Sequence, residues 1–222
     1  MSRQRAENIL RVLRQTVTMP NWTPPKQNPF ENLIATIISQ NTNDKNTERA
    51  FENLSKHFEI TPQTLSKAEI SKLEECLRSG GLYKRKAKTI QTVSKIILEK
   101  FGGSLTPILS LSSDESRKML LELPGVGPKT ADVLLLFCAN QATIPVDTHV
   151  NRVAKRLGLT PINGGYEIVR LGLQSIFEPK DYLEVHLLFI ALGRKYCKAG
   201  HLQCDQCPVN IYCPSMNKED EK

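Results

Sequence analysis

Four cysteines in one short segment are the strongest constraint on how this chain can fold. Cys197, Cys204, Cys207 and Cys213 follow the pattern C-x6-C-x2-C-x5-C. Thiols this close can share a zinc ion, form two disulfides or hold a [4Fe-4S] cluster. Zinc sites of four cysteines usually contain two C-x2-C pairs, whereas disulfides need an oxidising compartment, which no signal peptide indicates. The spacing therefore favours a cluster and leaves zinc as the next alternative.

The composition predicts one large or two small globular domains with a polyanionic partner. The chain has 222 residues, of which 40% are hydrophobic, and its formal net charge is +7. Such a charge favours nucleic acid as the partner, although a soluble enzyme that is merely basic has the same balance. No apolar run approaches the ~20 residues of a membrane-spanning helix, so we expect no membrane association. The compact architecture is expected to belong to a bacterial or archaeal cytoplasm, where DNA binding would associate the protein with the nucleoid. Isolated Cys76 and Cys138 are predicted to be packed core thiols.

Hydrophobic periodicity predicts an all-α chain. Three segments combine a polar N-cap residue with an acid three positions later, which is typical of a helix start: Asn28–Glu31, Ser66–Glu69 and Ser112–Glu115. Apolar residues recur at helical spacing in three further stretches: 84–101, 150–157 and 181–197. No stretch alternates convincingly as a strand.

The string Leu123-Pro-Gly-Val-Gly-Pro-Lys-Thr130 indicates a helical hairpin that can bind a phosphate backbone. Its two glycines, Gly125 and Gly127, permit a tight turn and close approach of another backbone. Pro128 fits the first position of a helix, whose free N–H groups and dipole attract a phosphate oxygen. An ordinary corner between two helices is the simpler reading of Gly-x-Gly alone, but the full string favours a DNA-binding hairpin.

Lys129 and Asp147 form a candidate catalytic pair. Lys129 falls in the first turn of the helix after the hairpin, where the dipole, and any partial burial, would disfavour the ammonium and favour an amine nucleophile. A solvated lysine that touches DNA phosphate is the alternative. Asp147 precedes a periodic helix, so it can cap that helix, accept a proton or stabilise a cationic sugar. His149 is expected to contact phosphate or assist the cap.

These motifs, in this order, closely resemble endonuclease III, the helix-hairpin-helix, Gly-Pro-Asp family of DNA base-excision glycosylases. The likeness runs from about Asn28 to Cys213. It implies an all-α fold of two lobes with a DNA-binding cleft between them. One lobe, at residues 24–141, is expected to be a six-helix barrel that carries the hairpin. The other, at residues 1–23 and 142–222, is expected to hold a [4Fe-4S] cluster on the four cysteines.

The resemblance also implies roles for individual residues. Lys129 matches the lysine that forms a Schiff base, and Asp147 the activating aspartate. Residues expected to contact DNA match the hairpin, the gap-filling polar positions and the apolar wedge, together with His149: Gln40, Asn41, Leu82, Leu123, Gly125, Val126, Gly127 and His149. The wedge helps to flip the damaged base out of the duplex.

The resemblance predicts a monomeric glycosylase and abasic-site lyase that acts on oxidised pyrimidines in double-stranded DNA. A glycosylase for mismatched thymine or uracil is an alternative of the same class. Adenine-specific relatives lack a lysine at the hairpin position, so Lys129 argues against that specificity. An alternative of another class is a non-catalytic iron–sulfur protein that binds DNA. The presence of both Lys129 and Asp147 argues against it, because binding needs neither.

Overall fold

The computed structural model describes residues 3–20 and 28–216, and within these ranges the regular elements are helices. This confirms the predicted all-α class. The described residues form twelve α-helices: α1 (Arg3–Thr16), α2 (Pro29–Ser39), α3 (Asp44–His57), α4 (Pro62–Lys67), α5 (Ile70–Leu77), α6 (Tyr83–Phe101), α7 (Thr106–Leu109), α8 (Ser113–Leu121), α9 (Pro128–Cys138), α10 (Thr148–Arg156), α11 (Tyr166–Ile176) and α12 (Tyr182–Lys195). Short 3₁₀ turns lie at Arg78–Gly80, Pro179–Asp181, Cys204–Gln206 and Asn210–Tyr212.

The chain divides into two compact units. One, here the central unit, is continuous from Thr23 to Gln141. The other, here the terminal unit, combines Met1–Trp22 with Ala142–Lys222. The boundary expected between residues 23 and 24 lies outside the described residues. Each unit has its own hydrophobic core.

The central unit is built from α2 to α9. Six of these eight helices have eight residues or more. Their inner faces bury one apolar cluster, which includes Leu33, Ile37, Leu54, Ile90 and Leu134. Helix α6, the longest helix of this unit, packs against α4 and α5. Cys76 is buried in the same cluster and Cys138 packs against it, as expected of core thiols.

The terminal unit joins α1 to α10, α11 and α12. Its core includes Ile9 and Leu13 from α1 together with Val150, Val185 and Phe189 from the later helices. Helices α10 and α12 pack closely on each other. Among the described residues, no helix combines the length and the apolar composition needed to span a bilayer.

Two of the three predicted helix starts are confirmed. The side chain of Asn28 accepts a hydrogen bond from the N–H of Phe30, 2.9 Å away, at the start of α2. At the start of α8, Ser112 and Glu115 form a capping box. Both caps satisfy N–H groups that the first helical turn leaves without partners.

The helix start predicted at Ser66–Glu69 is wrong. Ser66 lies in the last turn of α4, where its hydroxyl donates to the carbonyl oxygen of Gln63 at 3.2 Å. Ala68 then takes an extended backbone with ψ of 140°, and α5 begins only at Ile70. A serine hydroxyl can bond a carbonyl in the preceding turn as readily as it caps a new helix. The predicted helix start therefore lies too early in the chain, because the break between α4 and α5 comes after Ser66.

Candidate active site and cysteine segment

The predicted hairpin joins α8 to α9 in the central unit. Its turn closes with a hydrogen bond of 3.1 Å from the N–H of Val126 to the carbonyl oxygen of Leu123. The side chains of Leu123 and Val126 are buried, so these two residues can offer a partner only their main chains. Gly125 is exposed between them, and Gly127 is exposed directly after Val126. The surface of the hairpin is therefore mostly backbone, which suits a partner recognised through its phosphates.

The two glycines of the hairpin lie in different structural environments. Gly125 has φ of +81°, and a Cβ built on it would lie 2.4 Å from Cγ2 of Thr89 on α6. Gly127 has φ of −95°, and a Cβ there would meet nothing within 4 Å. Gly125 is therefore required by the fold itself. The open space at Gly127 faces outward, where another molecule can approach the chain.

Lys129 lies in the first turn of α9, two residues after Gly127. Its side chain is exposed. The sequence left the burial of this lysine open, and the structure places it on the surface, after a turn of exposed backbone. The dipole of α9 remains, because the first N–H groups of a helix carry partial positive charge.

Asp147 is the N-cap of α10 in the terminal unit. Its Oδ1 accepts a hydrogen bond of 2.7 Å from the N–H of Val150. Within the part of the chain that the structure describes, no hydrogen bond is made to Oδ2. The side chain is partly exposed. One carboxylate oxygen therefore caps the helix, and the other takes no part in the cap.

His149 is partly buried beside the cap. Its Nδ1 accepts a hydrogen bond of 3.1 Å from the Arg152 guanidinium, which can only donate. Burial lowers the pKa of His149, although the carboxylate of Asp147 acts in the opposite direction. A neutral imidazole is thus favoured at this position. Gly193 of α12 makes the close approach possible, since a Cβ there would lie 2.9 Å from Cβ of His149.

His186 supports the segment that leads to Asp147, and sequence reasoning missed it. This residue of α12 is buried, and its Nδ1 donates to the carbonyl oxygen of Pro145 at 2.8 Å. The direction follows because a carbonyl oxygen can only accept. No sequence pattern signals this contact, because the two residues are distant along the chain and the histidine lies on an apolar helix.

Gln40, Asn41 and Leu82, the expected DNA-contacting residues outside the hairpin, all belong to the central unit. Gln40 Nε2 donates to the carbonyl oxygen of Gly125 at 2.8 Å, so this side chain is tied to the hairpin. Asn41 and Leu82 both have left-handed backbones, with φ of 54° and 49°. Leu82 is 52% exposed, which is unusual for a large apolar side chain in a left-handed turn.

The four clustered cysteines all line one cavity of the terminal unit, with α10 and α12 forming part of its wall. Among the described residues, no three acidic, histidine or cysteine side chains are grouped closely enough to ligate a single metal ion. Burial raises the pKa of the Cys207 thiol to about 11 and also raises the pKa of Cys213. Cys207 and Cys213 therefore favour the protonated thiol over the thiolate.

Arginines of α10 fasten the cysteine segment. Arg152 Nε donates to the carbonyl oxygen of Cys197 at 2.7 Å, and Arg156 donates to that of Lys198, also at 2.7 Å. Behind these contacts, Val209 is fully buried in the core of the terminal unit. The segment is thus held on the helix that Asp147 caps.

Comparisons with known proteins agree with this arrangement. A family model described as the HhH-GPD superfamily of base excision DNA repair proteins matches residues 34–179. Endonuclease III of Sulfolobus acidocaldarius is 36% identical over 188 residues, which cover 84% of this chain and 82% of that protein. A structure of a non-covalent endonuclease III–DNA complex has a TM-score of 0.86 at 30% identity and covers 100% of both chains. A trapped endonuclease III–DNA covalent intermediate has a TM-score of 0.84 at 30% identity and covers 98% of both chains.

The chain therefore belongs to the endonuclease III branch of the HhH-GPD superfamily of base excision DNA repair proteins. This confirms the resemblance found in the sequence and the predicted enzyme class, a DNA glycosylase with abasic-site lyase activity. The non-catalytic DNA-binding protein considered as an alternative is thereby set aside.

Proposed function

We propose that this enzyme removes oxidised pyrimidines from double-stranded DNA and then cleaves the strand, with Lys129 as its nucleophile. The observation that carries this proposal is the exposed Lys129 in the first turn of α9, directly after the hairpin of exposed backbone. A helix N-terminus binds phosphate through its free N–H groups. A strand held there would present a sugar to the amine two residues further along the chain.

The proposed chemistry begins at the sugar. The Lys129 amine attacks C1′, the C1′–N bond breaks, and the base leaves with the bonding electrons and takes up a proton. Opening of the sugar ring then gives a Schiff base between Nζ and C1′. Loss of a proton from C2′ and cleavage of the C3′–O bond release the 3′ phosphate. A covalent intermediate of this kind agrees with the trapped enzyme–DNA complex of the similar endonuclease III.

Asp147 is proposed to accept a proton during base release and to stabilise positive charge on the sugar. Its place at the start of α10 supports this role, because the cap holds the carboxylate in a fixed position. Oδ1 is engaged by the cap, so Oδ2 is the oxygen proposed to act. His149, next to this cap, is proposed to contact DNA as a neutral hydrogen-bonding group.

DNA binding is proposed to use the hairpin and the two left-handed turns of the central unit. The main chain from Leu123 to Gly127 would hold a phosphate. Leu82 would enter the base stack as the wedge, since it is exposed and apolar. Because Gln40 is bonded to the hairpin, Asn41 is the better placed of the two polar residues to fill the gap left by a flipped base.

Cys197, Cys204, Cys207 and Cys213 are proposed to hold a [4Fe-4S] cluster. Four thiols around one cavity are the donor set of such a cluster, and each thiol binds a different iron, so the four residues fit a cluster without converging on a single ion. A cluster with four protein ligands would supply structural order to the segment and no open site for substrate. Iron, sulfide and zinc analysis of the purified protein tests this assignment. Four iron and four sulfide per chain are expected, and stoichiometric zinc would overturn it.

Borohydride trapping on abasic duplex DNA tests the nucleophile. Reduction of the Schiff base should give a covalent protein–DNA adduct that Lys129→Ala abolishes. Lys118→Ala is the matched control, because it removes an exposed lysine from the neighbouring helix α8 and should leave the adduct intact. An adduct of normal yield with Lys129→Ala, or none with the unaltered enzyme, would contradict the proposal.

Substitution of Asp147 by Asn separates catalysis from capping. Asparagine caps a helix about as well as aspartate, so Asp147→Asn should keep the stability of the protein. Base release should nevertheless fall by about 10²-fold or more, the scale of general acid–base catalysis. An unchanged rate of base release would mean that Asp147 only caps α10 and takes no part in catalysis.

A panel of duplexes tests the choice of substrate. Duplexes with thymine glycol or dihydrouracil should be cleaved in preference to those with uracil or a T·G mismatch. Preference for the mismatch would instead identify a mismatch glycosylase. Because one chain carries the proposed nucleophile, carboxylate and wedge, the active species is proposed to be a monomer, which size-exclusion chromatography with activity measured across the peak checks.

A further inference from the structure

Lys86 of α6 is a buried lysine that the proposed chemistry does not use. Only 3% of it is exposed, although its neighbours Lys84 and Lys88 lie on the exposed basic face of the same helix. Its Nζ donates to the carbonyl oxygens of Ile38, at 2.6 Å, and Gly80, at 2.8 Å. Burial lowers the pKa of this lysine. Burial of an amine is costly unless its hydrogen bonds are satisfied, so the two carbonyls define its role.

Those two carbonyls lie at the C-terminal ends of the two elements that precede the proposed DNA-contacting turns. Ile38 is in the last turn of α2, two residues before Gln40. Gly80 ends the 3₁₀ turn Arg78–Gly80, two residues before Leu82. The last carbonyls of a helix have no partner within it and carry partial negative charge, so an ammonium is a favourable partner there. One side chain therefore joins the ends of two separate elements.

The turns beyond these anchors are conformations that need support. Asn41 and Leu82 both adopt left-handed backbones. A residue with a Cβ is disfavoured in this region and persists there only where the surrounding structure holds it. The anchors also lie close together, because a Cβ built on Gly80 would be 3.5 Å from Cγ2 of Ile38. The fixed approach of these two elements, with Lys86 bridging them, holds both turns.

We infer that Lys86 is a positioning residue that sets Asn41 and Leu82 at a fixed distance from each other for insertion into duplex DNA. This inference rests on the proposed function, in which Leu82 is the wedge and Asn41 fills the gap. The bond from Gln40 to Gly125 extends the same arrangement to the hairpin. Both turns act on a base that has a paired strand opposite it. Lys86 therefore serves double-stranded substrates and is dispensable for single-stranded ones.

Lyase activity on an abasic site in duplex DNA and in single-stranded DNA tests this inference. Lys86→Met keeps the length of the side chain and removes the ammonium. The duplex rate should fall at least about tenfold, the equivalent of one hydrogen bond from a charged group, while the single-strand rate is retained. Lys84→Met is the matched control, because it removes a lysine of the same helix from an exposed position and should leave the ratio of the two rates unchanged.

Leu82→Ala distinguishes failure of this inference from failure of the proposed function. If the unaltered enzyme cleaves neither substrate, the proposed function fails. If Leu82→Ala keeps the full duplex rate, Leu82 is not the wedge, and the inference about Lys86 is wrong as well. If Leu82→Ala lowers the duplex rate but Lys86→Met does not, Lys86 has no positioning role. An equal loss of rate on both substrates in Lys86→Met would mean that the lysine contributes only to the general stability of the protein, and it would overturn the inference.

Discussion

Replacement of Gly125 by alanine should destabilise the central unit through two separable effects. The backbone of Gly125 has φ of +81°, where a residue with a Cβ costs about 1–2 kcal/mol. The new Cβ would also lie 2.4 Å from Cγ2 of Thr89, a β-branched side chain with few χ1 rotamers. Overpacking of this kind costs about 1–3 kcal/mol. The free energy of unfolding should therefore fall by about 2–5 kcal/mol.

Urea unfolding followed by circular dichroism measures this loss, and two further variants divide it. Thr89→Ser removes the methyl group that clashes, so adding it to Gly125→Ala should recover about 1–3 kcal/mol and leave the cost of the backbone. Gly127→Ala is the matched control, since its φ of −95° and open surroundings accept a Cβ. Its free energy of unfolding should stay within about 1 kcal/mol of the original.

The outcomes that would refute this reasoning are specific. Gly125→Ala with an unchanged unfolding midpoint would mean that the hairpin tolerates a Cβ and that its glycine is not structurally required. A double variant no more stable than Gly125→Ala alone would remove Thr89 as the cause. A loss in Gly127→Ala as large as in Gly125→Ala would show that the two glycines have one shared reason instead of two.

Two other predictions concern ionisable groups. Asp132 is fully buried and bonds the Arg117 guanidinium with an Nε–Oδ1 distance of 2.9 Å, so Asp132→Asn should cost about 3–5 kcal/mol in urea unfolding, and Arg117→Met combined with Asp132→Leu should recover most of it. Burial lowers the folded-state pKa of His149 below its usual 6.5. Its contribution to stability is therefore complete above pH 6.5 and is lost as the pH falls from there through the lowered folded-state pKa. His149→Gln should flatten this part of the pH profile of stability, and an unchanged slope would contradict the assignment.

The parts of the fold that could be predicted from the sequence depend on neighbouring residues. The caps at Asn28 and Ser112 and the turn at Gly125 are recognisable because each is decided within a few residues. The error at Ser66 has the same origin. Its capping signature is local too, but Ala68 breaks the helix two residues later than the signature implies.

Residues whose roles depend on tertiary contacts could not be found in this way. Lys86 belongs by its sequence to the basic face of α6, and only the approach of α2 shows that it is buried. His186 resembles any polar residue on an apolar helix until its contact with Pro145 is known. For the same reason, the sequence predicted Lys129 as a nucleophile but could not decide whether it is buried or exposed, because burial depends on packing rather than on position in a helix.

The composition of the terminal unit has a consequence for the order in which the protein can fold during synthesis. Helix α1 is synthesised before α2 to α12, yet its apolar residues Ile9 and Leu13 pack with residues that begin at Ile144. At about 5–20 residues per second, α1 waits roughly 6–25 s for the first of these partners. The central unit is continuous in sequence and can fold during that interval. A nascent chain must therefore shield the apolar stripe of α1 until the rest of its unit has been made.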